Sequence, residues 1–406
     1  MMPHMASRMK ELKASEIREI LKLTQQPGVI SFAGGLPAPE LFPVREMVSV
    51  SAEVLVTEGS KALQYSTTEG CPRLREAVAR RMDKTRGIEV DPEAILITGG
   101  SQQGLDLTGK VFIDEGDAVL CESPTYLGAV NAFKAYGPRF VEVPTDDEGM
   151  VPEALDRFLA ETSRVKFLYA IPDFQNPSGR CWSLERRRSV MEVAGKYGIP
   201  VVEDAPYAEL RFEGEHLPPL KAFDPHDLVI YLGTFSKILC PGMRVAWLAA
   251  QADLVKKYVL VKQGADLHTS TLSQRQVCIY LERYDLDGAL DRIRALYEKR
   301  RRAMLGAIDA HFPTNIRTTR PQGGLFLWVE LPKAVNARDV LVRALEEKVA
   351  FVPGGSFFPD GGHENTLRLN YSCMDEERIE EGIRRLAAVL RDYMGEDGPA
   401  RLKEVG

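Results

Sequence analysis

Three short apolar runs that each end in polar residues constrain the fold of this 406-residue chain most strongly. They cover residues 165–171, 199–203 and 228–232, and a stretch of helical periodicity at 184–197 separates the first two. Ser183 is a suitable N-cap for that helix. Alternating strands and helices are typical of a parallel sheet, which binds ligands beyond the carboxyl ends of its strands. The pattern predicts an α/β fold with a site at one sheet edge.

The third run leads into hydroxyl side chains, a lysine and an arginine, namely Thr234, Ser236, Lys237 and Arg244. A desolvated amine near positive charge is partly neutral, so Lys237 could attack an aldehyde at neutral pH. Arg244 and the hydroxyls could bind a phosphate dianion. Taken alone, the segment is equally compatible with a surface lysine after a strand.

The other two runs end in candidate ligands for a flat, protonated ring. Asp204 and Tyr207 follow the second run, and Asn176 follows the first. A carboxylate keeps a pyridinium nitrogen protonated, as a cofactor that accepts electrons requires. Tyr207 and Asn176 could bind a ring oxygen, and Tyr126 could stack on the ring face. Ordinary turns or core packing explain each group separately, but their shared position favours one site.

A glycine-containing turn could hold the phosphate. Residues 94–98 are predicted as a strand, and Gly99 and Gly100 lead into an apolar-periodic helix that starts near Ser101 and Gln102. Glycines allow the backbone to approach an anion, and the free amides of a helix start attract its charge. The alternative is a strand-turn-helix junction that Ser101 caps.

The ordered motifs are similar to those of the fold-type I pyridoxal phosphate aminotransferases, and among them to the 2-aminoadipate (LysN-like), kynurenine and aromatic enzymes. The similarity runs from residues 15–21 through 31–37 and 64–66 to 365–371. It implies an α/β fold with a mostly parallel seven-stranded sheet in a large domain, plus a smaller α+β domain. It also implies a homodimer in which Tyr65 reaches the phosphate of the neighbouring subunit.

By this resemblance each cluster acquires a role toward pyridoxal 5'-phosphate. Lys237 would form the Schiff base, Asp204 would bind the pyridine nitrogen, and Tyr126 would stack on the ring. Tyr207 and Asn176 would bind the ring oxygen. The phosphate ligands would be Ser101, Gln102, Ser236 and Arg244.

The C-terminal part predicts the smaller domain. A charged periodic segment at 290–310 predicts a long helix with a solvated face. A strand at 323–330, a helix at 337–348 and a strand at 366–370 follow. The expected regions are a small-domain N-terminal segment at 1–45, the large cofactor domain at 46–285 and the C-terminal small domain at 286–406.

Arg368 indicates what the reacting end of the substrate carries. A guanidinium offers a planar fork to both oxygens of an α-carboxylate, although a strand arginine can also pair with a surface acid. The match of residues 366–369 to the carboxylate-binding position of the family favours the first interpretation. The resemblance also places Asn176 and Gly35 in the substrate site.

Residues 15–18 match the adipate-recognising segment of the 2-aminoadipate enzymes, which places Ser15 and Arg18 near the distal end of the substrate. Arg18 could pair with the side-chain carboxylate of 2-aminoadipate or glutamate and swing away for leucine or aromatic substrates. Alternatively, Arg18 lies on the solvated side of a helix with an apolar stripe.

The implied reaction moves an amino group from an L-amino acid to a 2-oxo acid such as 2-oxoglutarate, with Lys237 as general base and acid. Two other classes stay open. A β-elimination or decarboxylation on the same fold would release ammonia and pyruvate, or CO2, without an acceptor. A regulator would carry a basic DNA-binding domain, whereas here the aminotransferase pattern begins within the first twenty residues.

Composition excludes several partners. A net charge of −6 argues against nucleic acid, and no apolar run approaches the roughly 20 residues that span a bilayer. The six scattered cysteines show no metal-ligand pairing and indicate reduced thiols. We therefore expect a cytoplasmic enzyme without a metal, nucleic acid or membrane partner.

Overall fold

The computed structural model describes residues 5–10 and 27–395. We number elements in chain order. The α-helices are α1 (Val44–Ala62), α2 (Pro72–Arg86), α3 (Ser101–Phe112), α4 (Leu127–Lys134), α5 (Pro152–Glu161), α6 (Leu184–Tyr197), α7 (Ala252–Asp266), α8 (Thr271–Arg283), α9 (Leu286–His311), α10 (Ala337–Glu346) and α11 (Glu376–Met394). The strands are β1 (Ile30–Ser31), β2 (Ile95–Thr98), β3 (Ala118–Ser123), β4 (Arg139–Asp146), β5 (Gly149–Met150), β6 (Val165–Ala170), β7 (Val201–Asp204), β8 (Val229–Thr234), β9 (Ala246–Ala249), β10 (Arg317–Thr318), β11 (Phe326–Glu330), β12 (Val349–Ala350), β13 (Val352–Pro353) and β14 (Thr366–Asn370).

The large sheet has the strand order β2-β9-β8-β7-β6-β3-β4-β5. Strands β4, β3, β6, β7 and β8 are parallel to their neighbours in that series, whereas β9 is antiparallel to both β2 and β8. The predicted mostly parallel sheet of seven strands is therefore confirmed. The two-residue strand β5 extends it at one edge, because the chain turns back directly after β4 and pairs with it.

Both faces of this sheet are buried, which explains why its central strands are apolar throughout. Along β6 and just beyond it, Phe167, Tyr169 and Ile171 belong to one core cluster, and Leu168 and Ala170 belong to the cluster on the other face. This alternation is that of a regular strand. The side chains of Tyr169 and Ile171 therefore lie on the same side of the sheet.

The predicted elements around the sheet agree with the structure. Helix α6 has the predicted bounds, and the Ser183 hydroxyl caps it by accepting from the Arg186 amide at 3.2 Å. The runs at 199–203 and 228–232 correspond to β7 and β8, but both strands extend into the polar residues that follow. Asp204 and Thr234 are paired in register with neighbouring strands, because the hydrogen-bond ladder continues past the apolar run.

The C-terminal region forms a second sheet of order β10-β11-β14-β13, in which neighbours are antiparallel. Helix α9 begins earlier than predicted, where the Asp285 carboxylate accepts from the Gly288 amide at 3.0 Å. Strand β1 pairs in parallel with β12, so residues near the N-terminal side of the chain contact the C-terminal region. The domain limits themselves stay a prediction.

Across residues 5–10 and 27–395, no helix has the length and apolar character needed to cross a membrane.

Candidate active site

A cavity of about 380 Å³ lies at the carboxyl ends of the central strands. It collects most of the predicted site residues in one place: Gly35, Ser101, Gln102, Tyr126, Asn176, Asp204, Tyr207, Ser236, Lys237, Arg244 and Arg368. A larger cleft of about 740 Å³, which includes Arg180, Arg317 and Glu330, contains none of these residues. Volume alone therefore does not identify the site, whereas the convergence of polar groups does.

Lys237 follows β8 and enters the cavity from the sheet edge. Its Nζ donates to the carbonyl oxygen of Gly35 at 2.8 Å. Burial, together with the nearby guanidiniums of Arg244 and Arg368, lowers the pKa of Lys237 to about 8. The neutral, nucleophilic form of the amine is thus far more populated near neutral pH than it is in an exposed lysine.

Asp204 is the last residue of β7 and is 2% exposed. Its Oδ2 accepts from the Tyr169 hydroxyl at 2.9 Å, and its Oδ1 has no hydrogen-bond partner among the described residues. Burial raises the pKa of Asp204 to about 7, although the Tyr169 hydrogen bond opposes this rise. A buried carboxylate with one free oxygen fits a ring nitrogen that carries a proton.

The turn before α3 forms a cradle for an anion. Gly100 has φ +95°, and a Cβ at this position would collide with the Arg244 guanidinium. Arg244 donates to the Ser236 hydroxyl at 3.4 Å and to the Gly99 carbonyl at 3.3 Å. The interpretation of Ser101 as an N-cap is wrong: Gly100 is the N-cap, and the buried Ser101 hydroxyl has no partner among the described residues. Such a hydroxyl is suited to a phosphate oxygen.

Two neighbours complete the cradle. The Thr234 hydroxyl accepts from the Ser236 amide and donates to the Ser236 hydroxyl, both at 3.0 Å. The Gln102 side-chain amide donates to the Gly128 carbonyl at 2.8 Å. Gln102 would therefore meet a phosphate through its backbone amide in the first turn of α3, where helix amides lack intrahelical partners.

Arg368 lies on β14 and is 1% exposed. It donates to Asn176 Oδ1 at 2.7 Å and to the Ala33 carbonyl at 2.6 Å, and it stacks over the Phe326 ring at 4.3 Å. Within the described ranges no carboxylate pairs with it, so the alternative of a strand arginine paired with a surface acid is wrong. Burial lowers the pKa of Arg368 to about 10.

Tyr207 and Asn176 lie side by side in the cavity wall. Burial raises the pKa of Tyr207 above its ordinary value, and the nearby Asn176 side chain opposes this rise. Tyr126 also lines the cavity, at the residue before α4. Gly128 allows this placement, because a Cβ there would collide with the Tyr126 ring.

Of the predicted site residues that the structure describes, Tyr65 does not line this cavity. Tyr65 is 78% exposed, and its ring makes an edge contact with the His268 ring at 5.9 Å between centroids. Ser15 and Arg18 lie outside the described residues.

Sequence reasoning missed two buried groups beside the site. Tyr169, which binds Asp204, lies inside an apolar run, and only the strand alternation could have pointed to it. Glu122 is fully buried and accepts from the Ile171 amide at 2.8 Å and the Trp182 indole at 2.9 Å. Burial raises the pKa of Glu122 to about 7. It fixes the end of β6, from which the Asn176 turn departs.

Comparison with known proteins agrees with this geometry. The sequence profile of the family "Aminotransferase class I and II" matches residues 29–386. The 2-aminoadipate transaminase of Thermus thermophilus is 50% identical over 388 residues, 94% of this chain and 95% of the relative. Aromatic-amino-acid aminotransferase 1 of Thermococcus litoralis is 46% identical over 387 residues, 94% of this chain and 93% of the relative.

A solved structure extends the similarity to the fold. It is LysN, the alpha-aminoadipate aminotransferase of Thermus thermophilus, complexed with N-(5'-phosphopyridoxyl)-L-leucine. It matches with a TM-score of 0.88 at 47% identity and covers 96% of this chain and 98% of that chain. The free Asp204 oxygen, the buried Ser101 hydroxyl and the Gly100 cradle fit the ring and phosphate of such a group. The chain therefore belongs to the class I and II aminotransferases, which transfer amino groups with pyridoxal 5'-phosphate.

Proposed function

We propose that this aminotransferase accepts L-amino acids of the 2-aminoadipate, aromatic, leucine or glutamate type and passes the amino group to a 2-oxo acid such as 2-oxoglutarate. The observation that carries the proposal is the buried Arg368 guanidinium, which has no carboxylate partner among the described residues. A buried cation without an anion favours a ligand that brings one. The α-carboxylate of an amino acid supplies that charge.

The cavity residues divide the cofactor between them. Asp204 Oδ1 would bind the ring nitrogen, Tyr207 and Asn176 would bind the ring oxygen, and Tyr126 would stack on the ring. The phosphate would be bound by Ser101, Gln102, Ser236 and Arg244. When bound, pyridoxal phosphate supplies an aldehyde that condenses with amines and a ring that accepts electrons.

Lys237 is the acid and base of the reaction. Its pKa of about 8 leaves part of the amine neutral, so it can take the proton from Cα of the amino acid and hold it for return. The Gly35 carbonyl orients the amine by accepting from it. Arg368 fixes the carboxylate, and its burial among Phe326 and Phe357 excludes water from that end of the site.

We also propose that the enzyme is a homodimer in which Tyr65 serves the partner's phosphate site. Tyr65 is exposed and lies just after α1, which itself exposes apolar side chains. These side chains are Val44, Val48, Leu55 and Val56. Clustered exposed apolar groups are typical of an interface between subunits.

Substrate choice at the distal end is assigned to Ser15 and Arg18 on the strength of the sequence match alone. The domain limits at 45/46 and 285/286 remain part of the proposal, supported by the pairing of β1 with β12. A cytoplasmic location is proposed because the six cysteines are unpaired thiols.

A donor panel tests the proposed function. Purified holoenzyme is mixed with 2-oxoglutarate and each of 2-aminoadipate, glutamate, leucine, phenylalanine and kynurenine, and glutamate or the new 2-oxo acid is measured. The absorbance of the cofactor is followed in the absence of an acceptor, where one half-reaction should proceed and stop. Continuous release of ammonia or CO2 without an acceptor would instead indicate an elimination or decarboxylation.

A further inference from the structure

We propose that Tyr169 is a positioning residue whose hydroxyl holds one oxygen of Asp204, so that the other oxygen remains aimed at the ring nitrogen of the cofactor. The inference rests on the proposed role of Asp204. Tyr169 does not line the cavity, so it acts through Asp204 and not on the ligand.

The sheet register brings the two side chains together. Tyr169 on β6 is paired with Val202 on β7, and Asp204 lies two residues further along β7 on the same face. An aromatic side chain reaches such a diagonal neighbour. The Tyr169 Oη to Asp204 Oδ2 distance of 2.9 Å is that of a hydrogen bond.

The Tyr169 ring is held in place by aromatic packing. It meets Phe133 edge-on at 5.8 Å between centroids, and Phe133 meets Phe167 at 5.1 Å. Tyr169 is 1% exposed, so water does not compete for its hydroxyl. This hydroxyl donates its hydrogen bond to Asp204.

Asp204 depends on this donor because no cation pairs with it among the described residues. Burial works against its ionised form, and the hydroxyl of Tyr169 stabilises that form. Without the hydroxyl, both carboxylate oxygens would lack a protein partner. The protonated acid would then be favoured, and it is a poorer acceptor for a ring N–H.

The test compares two ligands on apoenzyme. Tyr169→Phe deletes the hydroxyl and keeps the packed ring. Equilibrium dialysis gives the dissociation constants of pyridoxal phosphate and of its 1-deaza analogue, in which a carbon replaces the ring nitrogen. We expect Tyr169→Phe to weaken pyridoxal phosphate roughly tenfold to a hundredfold, as loss of a hydrogen bond to a charged group predicts. The affinity for the analogue should stay unchanged, because it has no ring N–H for Asp204.

Tyr258→Phe is the matched control. Tyr258 is 0% exposed and its hydroxyl lies 3.0 Å from that of Thr108, outside the cavity. Its variant should bind both ligands like the wild type. Circular dichroism confirms that each apo variant is folded.

Asp204→Asn separates this inference from the proposed function. If Asp204→Asn loses affinity for pyridoxal phosphate selectively and Tyr169→Phe does not, the role of Tyr169 is wrong and that of Asp204 stands. If Asp204→Asn shows no selective loss, the assignment of Asp204 is itself wrong. If Tyr169→Phe weakens the affinity for both ligands equally, Tyr169 acts through packing and the inference is overturned.

Discussion

Two buried aspartates at the ends of neighbouring strands differ in how their charge is compensated. Asp173, just beyond β6, pairs with Arg187 at 2.6 Å and Arg86 at 2.9 Å. Burial works to raise its pKa, but the two guanidiniums lower it to about 2. Asp204, at the end of β7, has the Tyr169 hydroxyl as its one side-chain partner among the residues that the structure describes, and burial raises its pKa to about 7. Asp173 is therefore neutralised within the protein, whereas Asp204 keeps one oxygen that, as proposed, binds the cofactor.

Two buried arginines show the same contrast. Arg187 is satisfied by Asp173 and by backbone carbonyls, whereas the described residues around Arg368 offer it neutral acceptors and two aromatic rings. The charges of Asp173, Arg86 and Arg187 are therefore compensated by one another within the chain. As proposed, the cofactor and the substrate supply the missing partners of Asp204 and Arg368, so the two regions should respond differently to substitution.

The largest effect should come from Lys237→Ala. It removes the proposed general acid and base, so turnover should fall on the order of 10⁴-fold. In the wild type, borohydride reduction should fix the cofactor to the peptide that contains Lys237, and mass spectrometry detects the adduct. Lys166→Ala is the control, because Lys166 pairs with Asp117 at 3.1 Å at the other end of β6. Retained turnover in Lys237→Ala would overturn the assignment.

The aspartates should differ in stability. Asp173→Asn leaves two buried guanidiniums without an anion and should lower the free energy of unfolding by about 3–5 kcal/mol. Asp204→Asn removes an incompletely compensated carboxylate, so the apoenzyme should be as stable as the wild type or more stable. Urea unfolding of apoenzyme at pH 7 measures both. Equal destabilisation by the two substitutions would contradict the distinction between the internally paired Asp173 and the incompletely compensated Asp204.

The pH dependence has opposite signs at the two residues. The stabilisation by Asp173 is fully present above its ordinary pKa of 3.8 and is lost as pH falls toward about 2. The pKa of Asp204 is raised in the folded apoenzyme, so its destabilisation grows as pH rises from 3.8 through about 7. The gain from Asp204→Asn should therefore be largest above pH 7.

The arginines should differ in substrate binding. Arg368→Gln removes the guanidinium that, as proposed, donates to both oxygens of the substrate carboxylate, so kcat/KM for amino acids should fall roughly a hundredfold to a thousandfold. For a primary amine without a carboxylate, kcat/KM should change little, because such a donor makes no ion pair with the guanidinium. Steady-state kinetics with both donors make the comparison. If kcat/KM falls as much for the amine as for the amino acids, Arg368 supports the fold and does not bind the carboxylate.

The smallest effect is expected at Arg18. Arg18→Ala should reduce kcat/KM for 2-aminoadipate and glutamate roughly tenfold to a hundredfold, the loss of one charge-assisted contact. Leucine and phenylalanine should be nearly unaffected, since they bring no distal charge. Parallel kinetics with the four donors test this. Equal losses of kcat/KM for the acidic and the apolar donors, or no loss for either, would favour the alternative that Arg18 lies on the solvated face of a helix.

The sequence alone determined the order of the secondary-structure elements and the edge of the sheet at which the candidate site lies. Parallel strands align their carboxyl ends, so polar residues after successive apolar runs had to converge, and Asn176, Asp204 and Lys237 line one cavity. Helix α6 and its Ser183 cap were predictable because both depend on residues within one or two turns. The family motifs added roles that periodicity does not encode.

Only the tertiary structure decided which groups remain without partners. Arg368 meets Asn176 across 192 residues of chain, and Lys237 meets the Gly35 carbonyl across 202. The hydrogen bond from Tyr169 to Asp204 depends on the register between two strands, and Ser101 does not cap α3 because it is already the first residue of that helix. Compensation of a buried charge is a property of everything packed around it, and local sequence patterns contain no information about those distant neighbours.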